Sequence, residues 1–480
     1  MGVLRYSGRD ELILGLGARP EETDPVTGDI LAPPSESGPW SAPTAEAPLA
    51  ARLTLPGSKS LTNRELVLAA LADGPSTIRR PLHSRDTSLM VDGLRALGID
   101  IAEVPGDGDF GPDLRVTPGE LLGGTIDGGL AGTVMRFLPI VAALALGPTN
   151  VDGDPYARKR PMRTTIDALR GIGVEVNDDG RGTMPFTVHG TGEVIGGDLA
   201  IDASASSQFV SGLLLAAPRF RDGLTLRHTG ERLPSMPHIR MTIACLAAHG
   251  VQVDEPEEGV WHVAPQPIRA RDVDIEPDLS NAGPFLAAAL LAGGTVTIDG
   301  WPEQTTQVGD EFLRILPRLG ATVTRTGDAV TVDGGAGVRG GGVVRAADLD
   351  LTIGGELAPT FAILLAFADG PSRLTGIGHL RGHETDRLAA LVAEIRRLGG
   401  DADELEDGLE VRPAPLHGGA WEAYADHRIA TAGALAGLIV PGVTVDDIGT
   451  TAKTLPEFPE LWNAMLGRGA HATRWEQLPL

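Results

Sequence analysis

Six segments of the chain are apolar at almost every position for two or more helical turns: LVLAALA (66–72), FLPIVAALALG (137–147), FVSGLLLAAP (209–218), FLAAALLAGG (285–294), FAILLAFADG (361–370) and IATAGALAGLI (429–439). A helix that is apolar all round belongs inside a fold, because it has no face suited to water. Alternating with them are six stretches whose apolar residues recur on one face only, which predicts amphipathic helices lying outside. Each of these ends on a glycine followed by alternating positions: LRALGIDI (Gly98), LRGIGVEV (Gly173), LAAHGVQV (Gly250), LPRLGATV (Gly320), IRRLGGDA (Gly399) and LGRGAHAT (Gly469). The apolar helices run into a second series of glycines before a β-rich stretch, at Gly74, Gly147, Gly223, Gly294, Gly370 and Gly442. Successive members of either series lie roughly 70 to 80 residues apart, which is the mark of an internal repeat. Each glycine is expected to supply the left-handed exit that a helix needs before a strand.

Strands alternating with helices in every unit predict an α/β protein of six repeats. Six buried helices do not fit one core of ordinary size, so three per domain in two domains is the natural grouping. Residues 1–45 match no repeat. They contain EETDP, LAPPSESGP and SAPTAEAP, rich in Pro, Glu and Ser. They read as a disordered extension, or equally as a start assigned too far upstream.

Charge narrows the function. Asp and Glu total 64 against 40 Lys and Arg, a net charge of −24, which excludes a generic binder of nucleic acid or of anionic membranes. The single cysteine, Cys245, cannot form an internal disulfide, and no Cys/His cluster has zinc spacing, so no metal is expected. No apolar run reaches the ~18 residues of a membrane span, and the N-terminus lacks a basic-then-apolar leader. A soluble, acidic, cytoplasmic protein is the expectation. Only three of the 40 cationic residues are lysines, namely Lys59, Lys159 and Lys453. Lysine is a compact charge whose pKa can move, whereas arginine stays planar and charged, so these three positions are candidates for work arginine cannot do.

Polar residues gather where helices begin. PGSKSLTNR (56–64), GGLAGTVMR (128–136), SASSQF (204–209), DLSN (278–281), GGE (354–356) and YADHR (424–428) precede the apolar helices. RKRP (158–161), PSMPH (234–238), HETDR (383–387) and TAKT (451–454) precede outer ones. Ser, Thr, Asp and Gly there are ordinary helix caps. The cations are not: Lys59, Arg64, Arg136, Arg160, Arg387, Arg428 and Lys453 all oppose the helix macrodipole. An anionic partner would account for them, since free N–H groups, a positive dipole end and a Lys or Arg together bind phosphate or carboxylate. PGSKS lacks the spacing of an ATP-binding loop. Glu356, Glu384, Asp386 and Asp426 lie among the cations, placed to orient them or to move protons. The residues therefore predict an enzyme acting on one or more small, multiply anionic substrates, without a nucleotide or metal.

The motifs LPGSKSLTNR, LAGTVMRF, RKRPM, SASSQF, PSMPHI, LRGHETDRL, YADHRIA and TAKTLPEF, in this order, resemble the EPSP synthase (3-phosphoshikimate 1-carboxyvinyltransferase) family, especially its actinobacterial members. The resemblance runs from about residue 47 to about residue 467. It implies the enolpyruvyl transferase fold, a two-domain inside-out α/β barrel of six βαβαββ units, three per domain. Residues 46–59 with 276–480 would form domain 1 and residues 60–275 domain 2, with crossings near Gly57–Ser60 and Glu276–Ser280 and the active site in the cleft between. The implied reaction moves the carboxyvinyl group of phosphoenolpyruvate onto the 5-hydroxyl of shikimate 3-phosphate, by addition and then elimination of phosphate, with no cofactor. A monomer that opens and closes is implied as well.

Carried over by motif, Lys59 would contact both substrates. Ser60, Arg64, Ser206, Ser207, Gln208, Ser235, Glu356 and His383 would hold shikimate 3-phosphate. Gly132, Arg160, Gln208, Arg387, Arg428 and Lys453 would hold phosphoenolpyruvate. Glu356 would be the base for the attacking hydroxyl, and Glu384, with Lys59, would handle the proton at the methylene carbon. Cations around Glu384 are expected to keep it ionised until bound phosphate offsets them. Four residues depart from the enterobacterial pattern: Leu130 for Asn, Glu356 for Asp, His238 for Tyr and His383 for Lys. His383 is expected to titrate near neutral pH. Gly132, whose enlargement confers glyphosate resistance in the family, is retained. The sister enolpyruvyl transferase, acting on UDP-N-acetylglucosamine, is the alternative. It generally uses a loop cysteine, whereas Cys245 lies in a helical pattern and reads as a core residue.

Overall fold

A computed structural model of the protein describes residues 38–468. Its helices, in chain order, are α1 (Lys59–Leu71), α2 (Arg85–Ala96), α3 (Gly132–Ala142), α4 (Arg163–Gly171), α5 (Gln208–Ala216), α6 (Met236–Ala248), α7 (Gly283–Ala292), α8 (Glu311–Leu319), α9 (Ala358–Ala366), α10 (Arg387–Arg397), α11 (His427–Gly437) and α12 (Phe458–Met465). The odd-numbered helices carry the apolar segments and are buried along nearly their whole length. The even-numbered ones bury one face, as α12 does with Phe458, Leu461, Trp462 and Met465.

Two hydrophobic cores result. One is built from residues between Leu66 and Ile275 and contains α1, α3 and α5. The other takes residues between Ala42 and Leu55 and between Leu279 and Met465, and contains α7, α9 and α11. Each core is thus filled by three inner helices, which have no face suited to water.

Five four-stranded sheets repeat one topology. Two parallel strands are followed by an antiparallel third, which pairs with the hairpin strand preceding it in the chain. Two of these sheets are completed by exchange between the halves. Leu49–Leu53 precedes α1 yet pairs in parallel with Gly294–Ile298, beyond α7. Val273–Asp274 precedes α7 yet pairs with Ser76–Arg79, beyond α1. The two connecting segments pass each other at a Gly57–Pro277 bridge, with Ser58 N donating to Glu276 O and Asp278 N to Pro56 O. A Cβ on Gly57 would sit 2.4 Å from Arg80 O, so only glycine admits this approach.

The repeat reading needs three corrections. In the sixth unit the left-handed helix exit is Gly467 (φ 71°), directly after α12, while the expected Gly469 lies outside the described residues. The other five exits, Gly98, Gly173, Gly250, Gly320 and Gly399, are left-handed as expected. In the second series Gly74 and Gly370 are not left-handed. Their turns are closed by side chains instead: Asp73 accepts from Ala270 N and Asp369 from Ala346 N, both at 2.7 Å. Finally, part of the expected disordered extension is ordered. Trp40–Ser41 pairs antiparallel with Thr444–Val445 as third strand of the sixth sheet, and Ala42 and Ala45 are buried. Small side chains there meet the open flank of the last unit, which is why a Pro- and Ala-rich segment finds a place in the core. Residues 1–37 of that extension lie outside the described residues.

Candidate active site

Helix polarity builds the site. The opening residues of all six inner helices, or the turns leading into them, line one cleft between the two cores: Lys59 and Ser60 at α1, Gly132 and Thr133 at α3, Ser207 and Gln208 at α5, Ser280 and Asn281 before α7, Glu356 before α9, and His427 and Arg428 at α11. No side-chain cap accepts from the first N–H groups of α3, whose Gly132 and Thr133 line the cleft, whereas at α5 the Gln208 N–H donates to Ser206 Oγ (3.3 Å). Non-glycine residues in left-handed conformation stand beside it, Ser235 (φ 55°) at the start of α6 and Tyr424 and Ala425 (both φ 53°) ahead of α11. Such strain persists where surrounding contacts over-determine it, commonly at functional sites.

On the side of the first core, Arg136 and Arg160 reach the cleft without an ion pair among the described residues. Arg136 is held by Gln208 Oε1 (3.0 Å) and Arg160 by the carbonyl of Leu130 (3.1 Å), while the Nε of each is buried and unpartnered. Burial and the neighbouring Arg160 push Arg136 well below the usual arginine range. Because Arg160 uses the Leu130 backbone, the replacement of Asn by Leu there costs this contact nothing. Lys59 extends its ammonium to Asp86, 3.4 Å away, and its N–H to Asp278 Oδ2 (3.1 Å), a residue delivered by the returning crossover. Ser206 and Ser235 complete this wall.

The other wall carries the carboxylates. Glu356 accepts from Ser280 Oγ (2.5 Å) and Arg428 Nη2 (3.4 Å) on one oxygen and contacts His238 Nε2 (2.8 Å) with the other. Burial works against its charge, but His238, Arg428 and the Ser280 hydroxyl outweigh it and hold the carboxyl well below its usual range. Glu384 contacts Lys453 Nζ with one oxygen and Arg387 Nη2 (3.0 Å) with the other. Burial again opposes the charge, and Lys453, Arg387 and Arg160 reverse that balance, so Glu384 rests ionised. Arg387 is in turn fixed by Asp426 through Nε (2.7 Å) and Nη2 (3.2 Å), with both side chains buried. Burial would weaken its charge, yet the Asp426 and Glu384 carboxylates raise its pKa.

Three sequence expectations shift. Arg64 does not line the cleft: it is buried behind Ser60, its guanidinium bonded to the Ser60 and His238 carbonyls and to Thr242 and Ser211, and burial pushes it down to about 10. Lys453 also lies behind the surface and acts on the cleft through Glu384. His383 lines the cleft, but partial burial and the Arg387 guanidinium 3.5 Å from Nδ1 push its pKa well below the ordinary value, so it is neutral at pH 7 rather than titrating there. Lys159, the third lysine, instead lies over the Tyr156 ring at 5.2 Å. The sequence reading missed Asp278, Asn281 and Gln307, which knit the crossover together, and His379, which lies 5.8 Å ring-to-ring from His383. DLSN before α7 was the available signal for the first two. Gln307 and His379 had none.

The cleft therefore sets Lys59, Arg136, Arg160, Arg387 and Arg428 around two carboxylates in a chain of charge −24. That arrangement suits a substrate pair bearing several negative charges and a reaction that moves protons at two separate points. Residues 43–462 match the family described as EPSP synthase (3-phosphoshikimate 1-carboxyvinyltransferase). The chain belongs to the EPSP synthase family. A curated relative from Kocuria rhizophila, named 3-phosphoshikimate 1-carboxyvinyltransferase, is 55% identical over 435 residues, covering 89% of this chain and 96% of the relative. Two solved structures share the fold. An EPSP synthase from Acinetobacter baumannii has TM-score 0.72 at 23% identity, over 88% of this chain and 97% of that one. The enolpyruvyl transferase NikO from Streptomyces tendae has TM-score 0.70 at 19% identity, over 91% and 98%. The enolpyruvyl transferase fold, with six repeats in two domains, is thus the architecture of this chain. The UDP-N-acetylglucosamine alternative finds no support in these relatives, and Cys245 is buried in α6, away from the cleft lining.

Proposed function

We propose that the cleft transfers the carboxyvinyl group of phosphoenolpyruvate to the 5-hydroxyl of shikimate 3-phosphate and releases inorganic phosphate. The observation that carries this is the pair of carboxylates in one cationic cleft, each tied to a different set of cations. The C5 hydroxyl must lose a proton and the vinyl methylene must gain one, and two groups in different surroundings allow both.

Shikimate 3-phosphate lies along Lys59, Ser60, Ser206, Ser207, Gln208 and Ser235, with its C5 hydroxyl at Glu356 and its ring near His383 and His379. Phosphoenolpyruvate lies along Gly132, Arg160, Gln208, Arg387 and Arg428, with Lys453 behind. Glu384, helped by Lys59, gives a proton to the methylene carbon and takes one back as phosphate leaves. The phosphate charge first draws on Arg387 and Lys453, which relaxes their hold on Glu384 and lets it carry that proton. Preplaced Arg and Lys meet the charge that builds on the phosphate and carboxylate oxygens. A monomer is the proposed working unit, and the cytoplasm its proposed location.

Purified protein is mixed with phosphoenolpyruvate and shikimate 3-phosphate and the release of phosphate followed, with UDP-N-acetylglucosamine as acceptor in a parallel reaction. Release is expected only with shikimate 3-phosphate. No release there, or release with the nucleotide sugar, rejects the reading.

A further inference from the structure

Gln307, buried on the turn that leads into α8, lines the cleft yet has no hydrogen left to donate there. Its Nε2 donates to Glu276 Oε2 (2.9 Å) and to Pro277 O (2.9 Å), and its Oε1 accepts from Leu279 N (3.1 Å). A primary amide carries two N–H donors, so both are spent on the returning crossover. Thr305 Oγ1 donates to the same Glu276 oxygen at 2.7 Å and accepts from Gln307 N at 3.0 Å, which fixes the turn itself. One side chain thus holds the stretch Glu276–Leu279, directly ahead of Ser280.

Two close approaches place this turn between the segments that carry Ser280 and Glu356. A Cβ on Gly309 would sit 2.3 Å from the Leu279 carbonyl carbon, and a Cβ on Gly354 would sit 2.7 Å from Val308 Cγ2. Leu279 immediately precedes Ser280, and Gly354 stands just ahead of Glu356. Ser280 Oγ then reaches Glu356 at 2.5 Å. On its other side the crossover is anchored at the start of α1, where Asp278 Oδ2 accepts from Lys59 N (3.1 Å) and Asp278 N donates to Pro56 O (2.9 Å). A base must stand within hydrogen-bond reach of the hydroxyl, and a misplacement of about 1 Å can cost about 100-fold in rate. We infer that Gln307 is a positioning residue: it fixes the crossover so that Ser280 holds Glu356 toward the attacking hydroxyl. The inference rests on the transfer reaction proposed above. Since both amide hydrogens are engaged by the crossover, Gln307 acts on the rate of hydroxyl attack and not on the affinity for either substrate.

Phosphate release gives kcat and both KM values for the wild type, Gln307→Met, Gln307→Glu and Ser280→Ala, and for each Gln307 change combined with Ser280→Ala. Thermal midpoints confirm which variants fold. Methionine matches glutamine in length and removes all three bonds, whereas glutamate keeps the acceptor for Leu279 N and loses both donations. Each single variant is expected to lose about 10- to 100-fold in kcat, with the Gln307 changes moving either KM less than about threefold. Added to Ser280→Ala, a Gln307 change should cost less than about threefold more in kcat, because the route through Ser280 is already cut. The inference fails if Ser280→Ala or the folded Gln307 variants keep the wild-type kcat, or if the Gln307 changes raise KM alone. It fails equally if the losses multiply in full in the double variants, since Gln307 then serves the fold by another route. A wild type that releases no phosphate rejects the transfer reaction itself, which separates the two failures.

Discussion

Replacing Glu384 by Gln preserves the side-chain volume and removes one charge from a site where Lys453 and Arg387 both depend on it. At 3.0 Å and an effective dielectric of 20, the Arg387–Glu384 attraction alone is of order 5 kcal/mol before desolvation is counted. Asp426 still neutralises Arg387 in the variant and the Gln carbonyl still accepts one hydrogen bond, so the net loss of stability should be about 2–4 kcal/mol, at the lower side of values for broken buried pairs. Activity should suffer more specifically. Without a proton for the methylene carbon, kcat falls by about 10²–10⁴, or roughly 3–5 kcal/mol of barrier. The pH dependence has a definite sign. The folded-state pKa of Glu384 lies well below its ordinary 4.5, so its contribution to stability is present above that value and is lost as pH falls through the folded pKa. The separation between the thermal midpoints of the wild type and Glu384→Gln should therefore be full above about pH 5 and shrink progressively as pH falls below 4.5. Steady-state phosphate release gives kcat, and differential scanning fluorimetry from pH 3 to 8 gives the midpoints. A variant with wild-type kcat and an unchanged rate profile rules out Glu384 as the acid, and a separation of midpoints that does not shrink as pH falls from 5 to 3 refutes the charge argument.

A Cβ at Gly132 would sit 2.8 Å from Gln208 Oε1 and 3.0 Å from Arg136 Nη1, so Gly132→Ala should displace both ends. The expected result is a raised KM for phosphoenolpyruvate and weaker inhibition by glyphosate, which in the wild type should compete with phosphoenolpyruvate. Unaffected wild-type turnover at millimolar glyphosate contradicts this. Burial pushes the Cys245 thiol well above its ordinary range, so iodoacetamide should leave the native enzyme active and unlabelled, and rapid inactivation would place a reactive thiol near the cleft. Glu457, just before α12, has a buried, unpartnered oxygen, and burial pushes its carboxyl up to about 7. Because the folded pKa is the higher one, ionisation opposes folding as pH rises from 4.5 through 7. Glu457→Gln should thus gain roughly 2–3 kcal/mol at pH 8 and nothing at pH 4, and equal thermal midpoints for variant and wild type at pH 8 would overturn that.

The amino-acid sequence by itself determined the repeat, the burial of the six inner helices and the cationic character of their starts. These are local properties: an all-apolar segment has no alternative to the interior, and a Lys or Arg at a helix N-terminus stands out against the dipole wherever the helix is placed. It also determined the family, through eight motifs in order. Tertiary structure alone decided which of those cations are free for a ligand. Arg64 and Arg136 sit five and four residues after a PGSK and a GGLAG turn respectively, yet Arg64 is used up behind the wall by Thr242, Ser211 and two carbonyls, and Arg136 keeps an unpartnered Nε at the cleft. The same holds for the histidines. Nothing in the motif around His238 indicates that it meets Glu356, 118 positions away, and His383 loses its expected near-neutral titration to burial and to the arginine four positions further on. Partners brought together from distant segments set protonation and availability, because Coulomb and desolvation terms depend on separation in space and not along the chain.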